Sequence, residues 1–287
     1  MRVVDARLVR SADKRGSSWP VLVETEVGLQ FTKLRGAAQG TGALIAEVIV
    51  AELAESLGLR VPERALVNFA RDVESLDQND ELADLLRASA GMNLGFAYLD
   101  DARNFDPSRD VPNVASDDAA AILWLDGLTA NPDRTARNPN LLWWHDELWL
   151  IDHGAALGFQ YSLPTVDASA PRRPYALREP HLLHSRVPDL DPMKDAGFAA
   201  AVSRAAVERA VAEVPDEFLL PLFGEQVSSA VLVERRQAYV DYLRRRLEAP
   251  RPFLVPVAAP NDQQRKGRPA WAANRGRGTG NGERGAG

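Results

Sequence analysis

Hydrophobic positions near the N-terminus show the alternation and the short apolar runs that are typical of β-strands. Three such segments cover residues 3–9, 20–26 and 29–34. The polar stretch 11–18 and the turn at Val27 and Gly28 separate them, and connections of this kind join neighbouring antiparallel strands. The pattern predicts an antiparallel meander.

A helical period follows the meander. Apolar side chains such as Leu44, Val48 and Leu57 recur at roughly helical spacing after Thr41, and Gly58 stands where a helix commonly ends. Beyond it, residues 64–69 are predicted as a strand and 75–90 as a helix, broken by the glycines between 91 and 95. We therefore expect residues 1–70 to form a small β-rich N-lobe with one helix.

The remaining chain is predicted to be mainly helical. Ser116 is the expected N-cap of a buried helix that ends before Pro132, and two strand-like runs between residues 141 and 152 predict a hairpin. Further helices are expected at 193–214 and 227–247. The fold class is thus α+β and bilobal, with a larger helical C-lobe over residues 71–248.

Composition limits the available chemistry. The chain has 287 residues, no cysteine and four histidines, which excludes disulfide frameworks, thiolate catalysis and cysteine-ligated metals. Any metal ion would be a hard ion on oxygen ligands. The longest apolar run, residues 119–125, is far shorter than the roughly 20 residues of a membrane span, so we expect a soluble, cytoplasmic protein without a membrane partner.

Charge is unevenly distributed along the chain. The net charge is −6, but the residues after Pro250 contain seven basic and two acidic side chains, so the preceding residues carry −11. The segment 249–287 is also rich in glycine and is expected to be a disordered basic tail. An acidic body argues against a general nucleic-acid binder, and leaves only weak nucleic-acid contact through the tail.

Three polar residues flank the tryptophan-rich hairpin. The spacing from Asp133 to Asn138 matches the Asp-x-x-x-x-Asn loop of protein kinases, in which the aspartate accepts a hydroxyl proton and the asparagine binds magnesium. Asp152 opens an Asp-x-Gly turn with His153 and Gly154. Because Mg²⁺ prefers oxygen ligands and keeps several waters, Asn138 and Asp152 suffice as protein ligands.

A lysine in the N-lobe completes this pattern. Lys33 lies on a predicted strand in a chain that has only four lysines, and a lysine retained among so many arginines indicates a need for a compact charge on nucleotide phosphates. Glu47, on the following helix, could orient Lys33, with Glu52 as the second choice.

Three blocks together resemble the HipA-like kinase family, the persistence-toxin kinases related to phosphatidylinositol kinases. They are FTKLRG, AEVIVAELAESLGLRVPE, and NPDRTARNPN through LWLIDHG. The resemblance implies a phosphotransferase that uses ATP and Mg²⁺, with Asp133 as base, Asn138 and Asp152 on the metal, and Lys33, braced by Glu47, on the phosphates. It also implies that Gly16, Ser17 and Ser18 belong to a loop over the phosphates.

Two departures from the family bear on the substrate more than on the nucleotide. Thr135 stands where the family commonly has histidine, and the metal turn reads Asp-His-Gly. The expected acceptor is a serine or threonine hydroxyl of a protein, and an antitoxin-like partner is part of the expectation. The alternatives are a small-molecule or lipid-headgroup kinase on the same fold, and a nucleotide-binding regulatory module without transfer activity.

Overall fold

The strands of the N-terminal region form one large sheet. The computed structural model describes residues 1–13, 19–163, 167–187, 190–220 and 228–254. The strands of this sheet are β1 (Arg2–Asp5), β2 (Leu8–Ala12), β3 (Val21–Thr25), β4 (Gly28–Lys33), β5 (Arg64–Phe69), β6 (Glu74–Ser75) and β7 (Gly91–Ala97). Their order across the sheet is β1-β5-β7-β4-β3-β2-β6.

The predicted meander is present, but it begins later than expected. β2, β3 and β4 pair antiparallel, whereas the single strand predicted over 3–9 is wrong. Ala6 and Arg7 interrupt it: the amide of Ala6 still bonds to Asn68, and that of Arg7 bonds to Glu24. β1 pairs parallel with β5 instead. Since β1 and β2 are consecutive in the chain but five places apart in the sheet, the sheet is strongly curled.

β7 was missed by the sequence pattern. The glycines at 91 and 95 were expected to break the chain, but β7 pairs antiparallel with both β4 and β5 in the middle of the sheet. Gly95 fits because a Cβ there would lie 2.6 Å from Val67 Cγ2. The sheet therefore extends to Ala97, beyond the residue at which the N-lobe was expected to end.

The helix α1 (Gly40–Ser56) lies between this sheet and the C-terminal helices. It is buried along the whole stretch 43–51, as expected for a helix that is apolar on all sides. Gly58, at φ +77°, closes it as predicted. The next helix, α2 (Asp80–Ala88), is shorter than predicted because Ser75 belongs to β6 and the Asn79 side chain caps the helix by accepting from Leu82 N.

The larger, C-terminal part is mainly helical, which confirms the predicted α+β class. Its helices are α3 (Pro107–Asp110), α4 (Ser116–Thr129), α5 (Pro192–Ala201), α6 (Arg204–Ala212), α7 (Asp216–Leu219) and α8 (Ser229–Leu247). Ser116 is the first residue of α4 and not its cap, because Ala115 holds the cap position without a side-chain bond. The helix predicted over 193–214 is split, since Ser203 caps α6 by accepting from Ala206 N.

The predicted hairpin is present. β9 (Leu141–Trp144) and β10 (Glu147–Leu150) are joined by His145 and Asp146, both at positive φ, and the short strand β8 (Arg103–Asn104) pairs with β9. Two consecutive positive-φ residues are typical of a tight hairpin turn. The hairpin therefore fixes the distance between the loop before it and the turn after it.

The chain remains packed beyond the predicted start of the tail. Phe253 is buried against Trp124, and Arg251 pairs with Asp195, whereas residues 255–287 lie outside the described part. Among the described residues, no helix is both long enough and apolar enough to cross a membrane.

Candidate active site

Lys33 connects the N-terminal sheet, α1 and the turn after the hairpin. It ends β4, and its Nζ donates to Asp152 Oδ1 at 2.6 Å and to Glu47 Oε1. Glu47 is completely buried at the centre of α1, while Asp152 follows β10 in a left-handed conformation, φ +56°. The structure thus brings together three residues that the sequence proposed separately.

Lys33 and Asp152 favour each other's charged form, whereas burial raises the pKa of Glu47 against the opposing effect of the Lys33 ammonium. Burial alone would lower the pKa of Lys33, but the carboxylates of Glu47 and Asp152 outweigh burial and raise it. Burial likewise opposes ionisation of Asp152, yet the Lys33 ammonium lowers its pKa. Lys33 and Asp152 are consequently an ammonium and a carboxylate at neutral pH.

Glu52, the second choice for orienting Lys33, has a different partner. Its carboxylate accepts from Arg64 Nη2 at 2.6 Å, and Glu55 bonds to the same guanidinium. Arg64 is buried at the start of β5. Glu52 therefore joins α1 to the sheet at a place separate from Lys33.

Asp133 and Asn138 face each other across a closed turn. Asn138 Nδ2 donates to Asp133 Oδ2 at 2.8 Å, and the amide of Thr135 bonds to the carbonyls of both residues. The Thr135 hydroxyl accepts from the Asn138 amide at 3.2 Å. Thr135 thus stabilises the shape of this turn.

The environment of Asp133 favours proton uptake. Partial burial raises the pKa of its carboxyl, and the neighbouring charge of Asp152 raises it further. A carboxylate with a raised pKa is a stronger base than an exposed one. Asp133 therefore combines an accessible carboxylate with increased affinity for a proton.

Beneath this turn lies a charged network that the sequence reasoning missed. The side chain of Arg134 is fully buried and donates to Asp126 Oδ2 at 2.5 Å and to Asn140 O at 2.6 Å. Asp126 also forms a hydrogen bond with the buried His181. The sequence feature that points to this network is the single aspartate, Asp126, inside the apolar segment 119–128 of α4.

His153 is the middle residue of the Asp-His-Gly turn. Its ring is buried, and neither ring nitrogen has a hydrogen-bond partner among the described residues. Burial, together with the positive charge of Arg134, lowers the pKa of His153 to about 3. His153 is therefore neutral and packs like an apolar side chain.

The expected phosphate loop cannot be located in the same way, because Gly16, Ser17 and Ser18 lie outside the described residues. The described neighbours of that loop are β2 and β3, which pair up to Ala12 and Val21. The two strands on either side of these residues thus belong to the sheet that carries Lys33.

The fold and the site together define a class of protein. A strand lysine paired with a helix glutamate, opposite an Asp-x-x-x-x-Asn turn and an Asp-x-Gly turn, is the arrangement of the protein-kinase-type phosphotransferases. The HipA-like kinase family matches residues 8–167, more than half of the chain. The chain belongs to this family and is a kinase.

Among solved structures, the chain is similar to the proinflammatory kinase CtkA of Helicobacter pylori. The two share 13% sequence identity, with 83% of this chain and 95% of that chain covered, at a TM-score of 0.45. No curated protein matches the chain.

Proposed function

We propose that this kinase transfers the γ-phosphoryl group of Mg-ATP to a hydroxyl group, and that the acceptor is a serine or threonine of a protein. The observation that carries the proposal is the position of Lys33 between Glu47 and Asp152. Two of its three N–H donors are used by these carboxylates, so the ammonium is held in one place with a donor remaining for phosphate oxygens.

The residues on either side of the hairpin suit a magnesium ion. The described residues contain no group of three His, Asp or Glu side chains that could hold a metal by themselves. Asp152 nevertheless keeps 44% of its side chain exposed, and Asn138 directs its amide nitrogen to Asp133, which leaves its oxygen as a ligand. One carboxylate and one amide oxygen fit an ion that shares its shell with phosphates and water. The bound ion would neutralise charge on the phosphates.

Asp133 is placed to act on the acceptor. Its carboxylate takes the proton of the attacking hydroxyl as the oxygen forms its bond to phosphorus and the bond to the leaving ADP oxygen breaks. Asn138 orients this carboxylate by donating to its Oδ2. Catalysis of this kind consists mainly of positioning and charge stabilisation.

The test uses purified protein with magnesium and γ-labelled ATP, alone and with cell extract. Asp133→Asn removes the base without changing the size of the side chain, and Asp146→Asn, at an exposed hairpin position that tolerates positive φ, is the matched control. We expect labelled serine or threonine in an extract protein with the wild type and with Asp146→Asn, and a loss of at least about a hundredfold with Asp133→Asn.

Other outcomes separate the alternatives. Label on small molecules or lipids, with none on protein, would replace the protein acceptor by a small-molecule or lipid-headgroup acceptor. Magnesium-dependent ATP binding without any transfer would indicate a regulatory nucleotide-binding module. Full transfer by Asp133→Asn would contradict the assignment of the base.

A further inference from the structure

The segment 175–183 is attached to the turn that carries Asp133, although it lies beyond the residues that the family matches. The Leu182 amide donates to Arg134 O at 3.0 Å, and the Tyr175 hydroxyl donates to Asn131 O. Both acceptors are backbone carbonyls within two residues of Asp133. The segment therefore contacts the catalytic turn from the C-terminal part of the chain.

Asp126 extends this attachment to Asp133 itself. Its Oδ2 accepts from Arg134 and from His181 Nε2, and its Oδ1 accepts from Asn131 Nδ2 at 2.9 Å. The other end of the Asn131 amide accepts the backbone N–H of Asp133 at 3.1 Å. A continuous set of hydrogen bonds thus runs from His181 through Asp126 and Asn131 to Asp133.

The hydrogen bonds of His181 fix its ring. Nδ1 accepts the Leu183 amide at 3.1 Å, so in the neutral ring Nε2 carries the proton that it donates to Asp126 at 2.9 Å. His181 is 5% exposed, and Asp126 and Asn131 are fully buried. Buried and fully bonded groups of this kind hold a single geometry.

We propose that His181 and Tyr175 are positioning residues for phosphoryl transfer, which hold Asp133 through Asp126 and Asn131. The inference rests on the proposed role of Asp133. Neither residue touches the acceptor. Their effect is exerted on the place and direction of the Asp133 carboxylate, to which transfer rates are sensitive.

Two substitutions of His181 separate its two bonds. Gln reaches as far as Nε2 and can still donate to Asp126, whereas Asn can accept from Leu183 but is too short to reach Asp126. His184→Asn, at an exposed position three residues away, is the control. Turnover is measured as ADP formed by the purified protein, with the acceptor found by labelling or, if none is found, with water.

We expect His181→Asn to lower kcat by about ten- to a hundredfold while KM for ATP stays within about twofold. His181→Gln should retain most of kcat, and His184→Asn all of it. Equal kcat in His181→Asn and His181→Gln, or a change confined to KM, would overturn the proposal.

Hydrogen exchange supplies a readout that needs no activity. In His181→Asn the amides of the peptide 131–140 should exchange faster, whereas those of the distant β3–β4 hairpin should not change. In His181→Gln the peptide should stay protected. Faster exchange throughout the chain would indicate general destabilisation and contradict positioning.

Tyr175→Phe keeps the proposal testable if His181→Asn does not fold. It removes one O–H donor, leaves every buried charge in place, and should lower kcat severalfold at unchanged KM, so an unchanged kcat would count against positioning.

Full activity of Asp133→Asn contradicts the proposed function, whereas an inactive Asp133→Asn with a fully active His181→Asn contradicts only this inference.

Discussion

The effect of Gly127→Ala on the free energy of unfolding should depend on the residue at position 253. The substitution should be destabilising with the native Phe253 and stabilising with alanine there. Gly127 lies within α4, where alanine is favoured over glycine by about 1 kcal/mol. A Cβ at this position, however, would lie 2.8 Å from Phe253 Cδ2, 3.2 Å from its Cβ and 3.3 Å from its Cγ. The whole Phe253 side chain would have to move, and not merely its tip.

The magnitude follows from the packing of that phenylalanine. Phe253 is 7% exposed and meets Trp124 edge-on at 5.5 Å, so it has little room to withdraw. Overpacking of this kind costs about 1–3 kcal/mol. Since the contact is close at three atoms, we expect Gly127→Ala to lower the free energy of unfolding by about 1–2 kcal/mol net of the helix gain.

The assay is a double-mutant cycle with Phe253→Ala, followed by urea unfolding and far-UV circular dichroism. In the Phe253→Ala background the ring is gone and only the Cβ contact at 3.2 Å remains, so Gly127→Ala should instead raise the free energy of unfolding, by at most about 0.5–1 kcal/mol. The reasoning is refuted if the two substitutions are additive within about 0.5 kcal/mol. Additivity would mean that Phe253 does not pack on α4.

Two further predictions concern the sheet and the buried network. Gly95→Ala should lower the free energy of unfolding by about 1–3 kcal/mol, because its Cβ would meet Val67. Gly197→Ala, in α5, is the control and should raise the free energy of unfolding slightly, because no atom lies within 4 Å of the added Cβ. Thermal unfolding of both variants checks this. Burial would raise the pKa of Asp126, but Arg134 and His181 hold it well below its usual range. Ionised Asp126 therefore stabilises the fold above an unfolded pKa of about 3.9, and this contribution falls as the pH drops below that value. The stability difference between the wild type and Asp126→Asn should thus shrink from pH 6 to pH 3 in urea unfolding, and a constant difference would contradict the ionised network.

Local patterns could be read from the sequence where short segments determine their own conformation. The hairpin is an example, because its strands are short apolar runs and its turn needs only two residues at positive φ. The β7 strand could not be predicted in this way. Its glycines and asparagine disfavour a strand, and it forms because β5 and β4 both pair with it, β5 from 22–32 residues and β4 from 61–67 residues earlier in the chain.

The candidate site shows the same division. The spacing of Asp133, Asn138 and Asp152 can be read within one short stretch of sequence. The position of Glu47 can likewise be read within its own helix, α1, which places Glu47 opposite Lys33. The bond between His181 and Asp126 joins residues 55 positions apart through a segment with no regular period. A sequence can mark Asp126 as unusual among apolar neighbours, but only the folded chain identifies its partners.

The order of the strands also has a consequence for synthesis on the ribosome. β1 and β5 form one pair and β2 to β4 form another unit, and β7 stands between them in the sheet. The sheet that presents Lys33 therefore cannot close until Ala97 has left the exit tunnel. Ala97 is 64 residues beyond Lys33, the last residue of β4. During that interval the inner edges of β4 and β5 are open to other strands, and this is the stage at which the nascent chain is most exposed to aggregation.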